Sequence, residues 1–230
     1  MVEIRIEAEG AFGSARVDLA PGERFVSESG ALYHATPNVD VDVTTRTRGG
    51  GGLLKGLGRL LAGESFFLSS YTTDDGQPGA VGLAPTLQGS VARLDLDGTS
   101  GWHCTGASFL GAGAELELET RFQGLKGLFS GEGLFLVEVR GTGPLLVSAF
   151  GSLFEQAVEG ELVVDTGHVV AFESSLTYET SRAGGSWLQS FLGGEGFVMR
   201  FRGSGRVWLQ SHSPRDYGHL LGRILPPRRQ

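Results

Sequence analysis

Residues 52–68 read GLLKGLGRLLAGESFFL, and two further stretches of the chain follow the same pattern. Residues 124–136 read GLKGLFSGEGLFL, and residues 185–199 read GSWLQSFLGGEGFVM. Each stretch is a short apolar turn, followed by Gly-Glu and then by a run of residues typical of a β-strand. The pattern indicates an internal repeat of three β-rich units.

The similarity extends beyond these stretches in both directions. Upstream, the segments DVTTR (42–46), ELETR (117–121) and YETSR (178–182) each close a strand before the apolar turn. Downstream, RGTGP (140–144) matches RGSGR (202–206), and each lies between two apolar runs. Glycine-rich segments in that setting predict β-hairpins at both places.

These matches place the first unit at about residues 11–88, the second at 89–151 and the third at 152–213. Single β-repeats would expose full sheet edges, so we expect the units to pack around a pseudo-threefold axis as one domain over residues 1–213. The predicted fold is all-β and mainly antiparallel, sandwich-like or double-stranded β-helix-like, with short helical turns. Residues 214–230 are predicted to form a C-terminal tail.

Alternating apolar and polar residues support the β prediction. The pattern is clear at residues 39–43, 115–119 and 197–201, and no long amphipathic helix is evident. Residues 1–10 alternate in the same way and are predicted to form the first strand. They have neither a basic start nor an apolar core, so we do not interpret them as a secretory signal.

Composition narrows the class of protein. The 230 residues include 19 basic and 26 acidic side chains, for a net charge of −7, and one cysteine. This balance disfavours general attraction to nucleic acid or to an anionic membrane. A lone cysteine excludes an intramolecular disulfide framework and a cysteine-rich zinc site. We expect a folded protein of the cytoplasm.

The repeated segments resemble the altered-inheritance-of-mitochondria 24 family, long catalogued as a domain of unknown function. Residues 56–67 are similar to one family pattern, which is a Gly/Leu-rich turn with Arg and Leu, followed by Gly-Glu and an aromatic strand. Residues 203–211 are similar to the family's closing pattern, which is Gly-Ser-Gly, an apolar strand and Gln-Ser. The resemblance implies a fold similar to the tryptophan RNA-binding attenuation protein, with threefold assembly plausible. It carries no catalytic residues.

No constellation of chemical groups points to an enzyme, a cofactor or a metal. The histidines are scattered, without the spacing of a metal site; they are His34, His103, His168, His212 and His219. The pair His103-Cys104 suggests a nucleophile, but it lies in an apparent strand, where a buried inert thiol is the commoner outcome. We therefore predict no catalytic, cofactor-binding or metal-binding residues.

Three glutamates occupy equivalent positions in the repeat: Glu64, Glu132 and Glu195. Around a threefold axis they could converge as a carboxylate ring that binds a cation. The alternative is that each accepts hydrogen bonds from its turn or pairs with an arginine such as Arg59. We favour this structural interpretation, since three equal copies suit architecture better than asymmetric catalysis.

The apolar turns form the candidate interaction surface. The candidate residues of this surface are Leu53, Leu54, Leu57, Leu125, Leu128, Phe129, Trp187, Leu188 and Phe191. If these side chains cluster on one face, they offer a patch for other subunits, a partner or a membrane surface. If they cap the ends of the β-core, no such patch exists. The sequence leaves both possibilities open.

The leading hypothesis is a non-enzymatic oligomeric scaffold or protein-interaction module that contacts copies of itself, with a trimer plausible, or another protein. The alternative is a small-ligand or RNA-binding module that uses clefts between the repeats. Arg200, Phe201 and Arg202 approach the arginine–aromatic pattern of an RNA surface, but strand alternation predicts that Phe201 is buried. The basic residues 223–230 are expected to be a solvated tail.

Overall fold

The computed structural model describes residues 2–8, 10–44, 67–73, 76–123, 134–182 and 197–226. Within these residues the chain is almost entirely β-structure, arranged in three sheets whose strand pairings are antiparallel. The prediction of an all-β, mainly antiparallel fold is therefore confirmed. The division into three repeated units and their arrangement around a pseudo-threefold axis stay predictions, and the first, second and third units below denote residues 11–88, 89–151 and 152–213 of that prediction.

The first sheet is built by the N-terminal part of the chain. Its strands are β1 (Glu3–Glu7), β2 (Ser14–Leu19), β4 (Leu32–Ala35) and β7 (Gly79–Leu83). They lie in the order β1-β2-β7-β4. The alternation seen in residues 1–10 does form the first strand, with Ile4 buried and Glu3 and Arg5 exposed on the opposite face.

The second sheet joins strands of the first and second units. Its strands are β3 (Arg24–Glu28), β5 (Val39–Thr44), β6 (Leu68–Thr73), β8 (Val91–Asp97), β10 (Phe109–Gly113) and β13 (Thr142–Ser148). They lie in the order β5-β6-β3-β10-β13-β8, so the two units meet where β3 pairs with β10.

The third sheet joins the second and third units in the same way. Its strands are β9 (Trp102–Thr105), β11 (Glu117–Gln123), β12 (Leu134–Arg140), β14 (Leu153–Asp165), β15 (Val169–Glu173), β16 (Thr177–Arg182) and β17 (Phe197–Gln210). Their order is β11-β12-β9-β15-β17-β14, with β16 also paired to β17. Short 3-10 turns lie at residues 106–108 and 166–168.

The apolar interior falls into three clusters, and consecutive units share them. The first cluster contains Phe25 and Tyr71 of the first unit, but also Leu110 and Leu146 of the second. The second cluster surrounds Trp102 and Phe109, and includes Val170 and Ala171 of the third unit. The third cluster contains Phe172, Met199 and Phe201. The core of each of the first two units is thus completed by the unit that follows it.

The two glycine-rich segments predicted as hairpins are not hairpins, and that prediction is wrong. Strands β12 and β13 belong to different sheets, and the chain passes between them at Gly141, whose φ is 107°. Residues 202–206 lie inside the continuous strand β17. There Gly203 lies directly opposite Gly160 of β14, and both have positive φ values (121° and 101°). Two facing glycines let this long strand pair bend without losing its register.

The predicted C-terminal tail contains a helix, α1 (Pro214–Ile224). The Ser213 side chain caps it by accepting a hydrogen bond from the Asp216 backbone N–H at 3.3 Å, and Pro214 occupies the first turn. The prediction of a tail without a helix is therefore wrong, and the spacing of α1 puts Tyr217, Leu220 and Ile224 on one side. No helix in the described ranges is long and apolar enough to cross a membrane.

Glycines open the first strand of each unit and bring these strand starts together. The Gly13 N–H donates to the Gly89 carbonyl at 2.8 Å, and the Gly151 N–H donates to the Gln88 carbonyl at 2.9 Å. A β-carbon added to Gly89 would lie 1.7 Å from the Ala149 carbonyl oxygen. Only glycine permits this approach, because a backbone atom has no freedom to move aside.

We expect Gly89→Ala to lower the free energy of unfolding by about 2–3 kcal/mol, because the added methyl group must displace backbone. Urea unfolding followed by circular dichroism measures the change. The matched control is Gly222→Ala in α1, where a β-carbon meets nothing within 4 Å. That variant is expected to be neutral or to gain up to about 1 kcal/mol from helix propensity. Equal effects of the two substitutions would contradict the packing argument.

Candidate interaction surface

The three candidate apolar turns connect strands that pair with each other. Strands β5 and β6 pair up to Thr44 opposite Leu68, and β11 and β12 pair up to Gln123 opposite Leu134. Strands β16 and β17 pair up to Arg182 opposite Phe197. The described strands therefore form three hairpins with the same order of elements, and the candidate turns are their connections.

The candidate residues themselves lie outside the described part of the chain. The apolar set is Leu53, Leu54, Leu57, Leu125, Leu128, Phe129, Trp187, Leu188 and Phe191, and the carboxylates are Glu64, Glu132 and Glu195. The exposure of the apolar set and the structural role favoured for the three glutamates stay predictions. What the structure contributes is the place in the fold where each segment leaves and rejoins the sheets.

The residues His103 and Cys104 do not form a nucleophile and its base. They are neighbours on β9, so their side chains point to opposite faces of the sheet. The His103 ring packs against Phe172, with centroids 4.9 Å apart, whereas Cys104 is fully buried in the second cluster. Burial raises the pKa of the Cys104 thiol to about 12. The predicted buried thiol is confirmed.

A partly buried titratable group, Glu28, is a feature that the sequence pattern does not single out. It ends β3, next to the turn in which the Ala31 N–H donates to the Glu28 carbonyl at 3.2 Å. Burial raises the pKa of its carboxyl group to about 7. A carboxyl group with such a pKa can exchange a proton near neutral pH. The sequence signal was weak, because a glutamate at a strand end is usually exposed.

A strip of paired charges crosses β14, β16 and β17 of the third unit. Arg200 and Arg202 both contact Glu161, and Arg202 also lies 3.3 Å from Glu179. Between the two arginines, Phe201 is fully buried, as alternation predicted. The pKa of Glu161 is lowered, first by its hydrogen bond with Arg202. These arginines therefore have carboxylate partners within the protein.

The strip continues at Arg206, which sequence analysis treated only as part of a turn. Its guanidinium group lies 2.6 Å from Glu173 and 3.5 Å from Glu155. Its central carbon also lies 5.3 Å from the centre of the Trp102 ring, within the range of a cation–π interaction. Trp102 belongs to the second unit, so Arg206 links the surfaces of two units.

Histidines and acidic residues of the described part of the chain lie apart from one another. No group of three or more His, Cys, Asp or Glu side chains that could hold a metal ion occurs within the described ranges. His168 hydrogen-bonds to the Gln210 carbonyl at 2.8 Å, and His212 to the Ser211 hydroxyl at 2.8 Å. Both histidines hold the end of β17 in place.

The exposed side of α1 is a further apolar feature. Leu220, Ile224 and Leu225 are exposed there, and Tyr217 packs its ring on Phe150 with centroids 5.1 Å apart. The signal that could have revealed it is the Ser-Pro-x-Asp start at residues 213–216, followed by apolar residues at helical spacing.

This chain is similar to one family model, to a sequence relative and to a solved structure. A family model described as "Mitochondrial biogenesis AIM24" matches residues 4–212. An uncharacterized protein from Streptococcus pyogenes serotype M6 is 31% identical over 221 residues, which cover 94% of this chain and 88% of that protein. The crystal structure of protein SPYM3_0169 from Streptococcus pyogenes, a structural genomics target, is similar with a TM-score of 0.80 and 27% identity. That match covers 98% of this chain and all of the other.

We expect Cys104 to react slowly with a thiol reagent in the native protein, because the thiol is buried and its raised pKa keeps it neutral. Labelling with dithionitrobenzoate at neutral pH should be slower than in denaturing guanidinium chloride by about a hundredfold or more. Absorbance of the released thiolate measures both rates. Rapid labelling of the native protein would show instead that Cys104 is accessible.

Stability should depend on the protonation of Glu28. Because its pKa in the folded protein is above the usual value of 4.5, folding favours the protonated form. The free energy of unfolding therefore falls as pH rises from about 4.5 to about 7. The free energy of unfolding of Glu28→Gln, relative to that of the wild type, should therefore increase by about 2 kcal/mol as pH rises from about 5 to about 8. Urea unfolding at a series of pH values measures this increase. Glu159→Gln, exposed on β14, controls for the change in net charge. A gain that is constant across this pH range would refute the prediction.

Proposed function

The chain belongs to the mitochondrial biogenesis AIM24 family. From this premise we propose that it is a non-enzymatic interaction module, which assembles with copies of itself into an oligomeric scaffold. We place this activity in the cytoplasm. Threefold assembly and a fold similar to the tryptophan RNA-binding attenuation protein, both implied by the sequence resemblance, are part of the proposal.

The observation that supports the proposal is the equivalence of the three hairpins. In each, a paired strand runs into a connection whose sequence is apolar, and the chain returns along the neighbouring strand. Repetition of one apolar feature at three equivalent places suits a contact surface, because several weak contacts add up when they bind together. An active site needs only one asymmetric arrangement of groups.

The strand edge beside the first connection also supports contact with protein. On β5, Val41 is 40% exposed and Val43 is 62% exposed, although alternation would bury the valine face of this strand. Exposed β-branched residues on an edge strand favour pairing or packing with another polypeptide. Val43 lies next to the start of the connecting segment 45–66, so the apolar surface of the sheet leads directly into it.

RNA binding receives less support. The arginines that flank Phe201 are paired with Glu161, and Arg206 is paired with Glu173. An RNA phosphate would have to displace these carboxylates, in a protein whose net charge is −7. The partner we propose is therefore protein.

Molecular mass in solution tests the proposal. We expect light scattering on a sizing column to give a mass that is a multiple of 24.3 kDa and that rises with protein concentration. A mass of one chain at every concentration would overturn the self-association. A bound small molecule detected by native mass spectrometry would support the ligand-binding alternative instead.

The contribution of the apolar connections can be separated by substitution. The triple variant Trp187→Ser, Leu188→Ser, Phe191→Ser should shift the association to protein concentrations about tenfold higher or more, because buried aromatic contacts dominate interface energies. Phe12→Ser, an exposed aromatic residue between β1 and β2, is the control. Unchanged association of the triple variant would remove the third connection from the contact surface.

A further inference from the structure

Two strand pairings connect consecutive units of the chain. Strand β3 pairs antiparallel with β10, placing Ser27 opposite Gly111. Strand β9 pairs antiparallel with β15, placing Cys104 opposite Ala171. In both pairs the earlier strand belongs to one unit and the later strand to the next unit.

Strand β4 is the counterpart of β10 and β15 in the first unit. All three contain the same register shift against their other neighbour, between Leu32 and His34 in β4, between Phe109 and Gly111 in β10, and between Val169 and Ala171 in β15. The turn that follows is also the same. A backbone N–H donates to the carbonyl three residues earlier, from Val39 to Thr36, from Leu116 to Gly113 and from Leu176 to Glu173.

The last residues of β14 are the counterpart of β3 and β9 in the third unit. In each unit one row of three residues crosses the sheet at the same position. The rows are Phe25–Tyr71–Val41, Trp102–Val139–Leu118 and Leu162–Phe201–Tyr178. Residues 161–165 of β14 therefore correspond to the strands that receive β10 and β15.

Among the described residues, neither of these two counterparts is paired with the neighbour that the other units have. Within the described residues, β4 pairs only with β7, and residues 161–165 pair only with β17. We call β4 the donor edge, because its counterparts β10 and β15 each add to the sheet of the preceding unit. We call residues 161–165 of β14 the acceptor edge, because their counterparts β3 and β9 each receive such a strand.

The residue at the register shift is more exposed in the donor edge than in its two counterparts. The residue at the register shift, Leu110 in β10 and Val170 in β15, is fully buried, and each lies in the core cluster of the preceding unit. The corresponding residue in β4 is Tyr33, which is 51% exposed. Its hydroxyl group donates to Glu7 at 3.2 Å, but its ring has no preceding unit to enter.

We propose that the acceptor edge of one copy pairs with the donor edge of a second copy, so that β14 and β4 continue one sheet across the interface. The internal pairings fix the register: Val164 lies opposite His34 of the second copy, Val163 opposite its Ala35, and Leu162 opposite its Thr36. Tyr33 of the second copy enters the third cluster, as Leu110 and Val170 enter the first and second clusters. This inference deepens the proposed function and rests on it, since it specifies the surface through which the copies associate.

One difference makes this pairing weaker than the two inside the chain. The N–H groups of Ala114 and Ser174 donate to the carbonyl groups of Arg24 and Gly101, which extends each internal ladder beyond the strands. The corresponding residue in the first unit is Pro37, which has no N–H. The contact between copies therefore ends at Thr36. A shorter ladder is suited to a reversible association.

The two edges differ, so the interface is head-to-tail. Each copy offers one donor and one acceptor edge, and the assembly either closes into a ring or continues as a filament. An interface that pairs identical surfaces around a twofold axis does not satisfy this geometry.

Disulfide cross-linking tests the register. Directly opposite residues in antiparallel strands lie about 4.5–5.5 Å apart, within the range that a disulfide spans. The variants Ala35→Cys and Val163→Cys change residues that are exposed and half-buried, respectively. Under mild oxidation, a mixture of the two should give a covalent dimer in high yield, and the double variant should give a ladder of multiples of 24.3 kDa.

The control mixture combines Ala35→Cys with Val43→Cys, since Val43 is exposed on the edge of another sheet. Equal yields in the two mixtures would overturn the proposal, and so would a disulfide formed within one chain of the double variant. An oligomeric wild type without the Ala35–Val163 cross-link would refute this register but leave the proposed function intact. A monomeric wild type would refute both.

A second substitution tests the role of Tyr33 without a disulfide. Tyr33→Ala should raise the dissociation constant of the assembly about tenfold or more, because an aromatic residue buried at the centre of an interface contributes strongly to affinity. Phe12→Ala, which removes a still more exposed ring (73%), should leave it unchanged. Both are measured by sedimentation over a concentration series. Equal effects of the two variants would contradict the insertion of Tyr33.

Discussion

The pairing of β10 with β3 and of β15 with β9 is the constraint on which the rest of this structure depends. Because each of these pairs joins two units, the second and third sheets contain strands from both. The same pairings carry Leu110 into the first cluster and Val170 into the second. Sheets and core are therefore completed at the same places, and neither of the first two units has a complete core of its own.

The sequence predicts several of the individual strands and the burial of a few of their residues. Alternation indicates β1, β5, β11 and β17, and it places Phe201 in the interior between Arg200 and Arg202. The hairpin connections were also recognised, since the apolar turns do join paired strands. These features depend on neighbouring residues, so a short window of sequence contains the information.

What the sequence did not predict is which strands pair over long distances. Residues 140–144 and 202–206 look alike, yet one is a corner between two sheets and the other is the middle of β17. The choice depends on where the partner strands lie, and that is set by tertiary packing. The ion pairs of Arg206 with Glu173 and Glu155 were missed for the same reason, because these residues are separated by 33 and 51 positions.

The charges on the third unit illustrate how a surface can mislead when only its arginines are counted. Arg200, Arg202 and Arg206 project from one strand, but Glu161 and Glu173 reach them from the strands on either side. Such exposed pairs add little stability individually, because water and salt screen the attraction between the charges. They nevertheless offset the positive charge of the arginines and leave a surface of mixed charge.

The sharing of core clusters between successive units also has a consequence for synthesis on the ribosome. The first cluster needs Leu110 and Leu146, so about two thirds of the chain must be translated before the N-terminal sheet can bury its apolar face. Until then its strands emerge with unsatisfied edges, and such nascent chains are prone to aggregation and to capture by chaperones. The third cluster, by contrast, contains mostly residues of the last unit, so the end of the chain can condense rapidly once it is released.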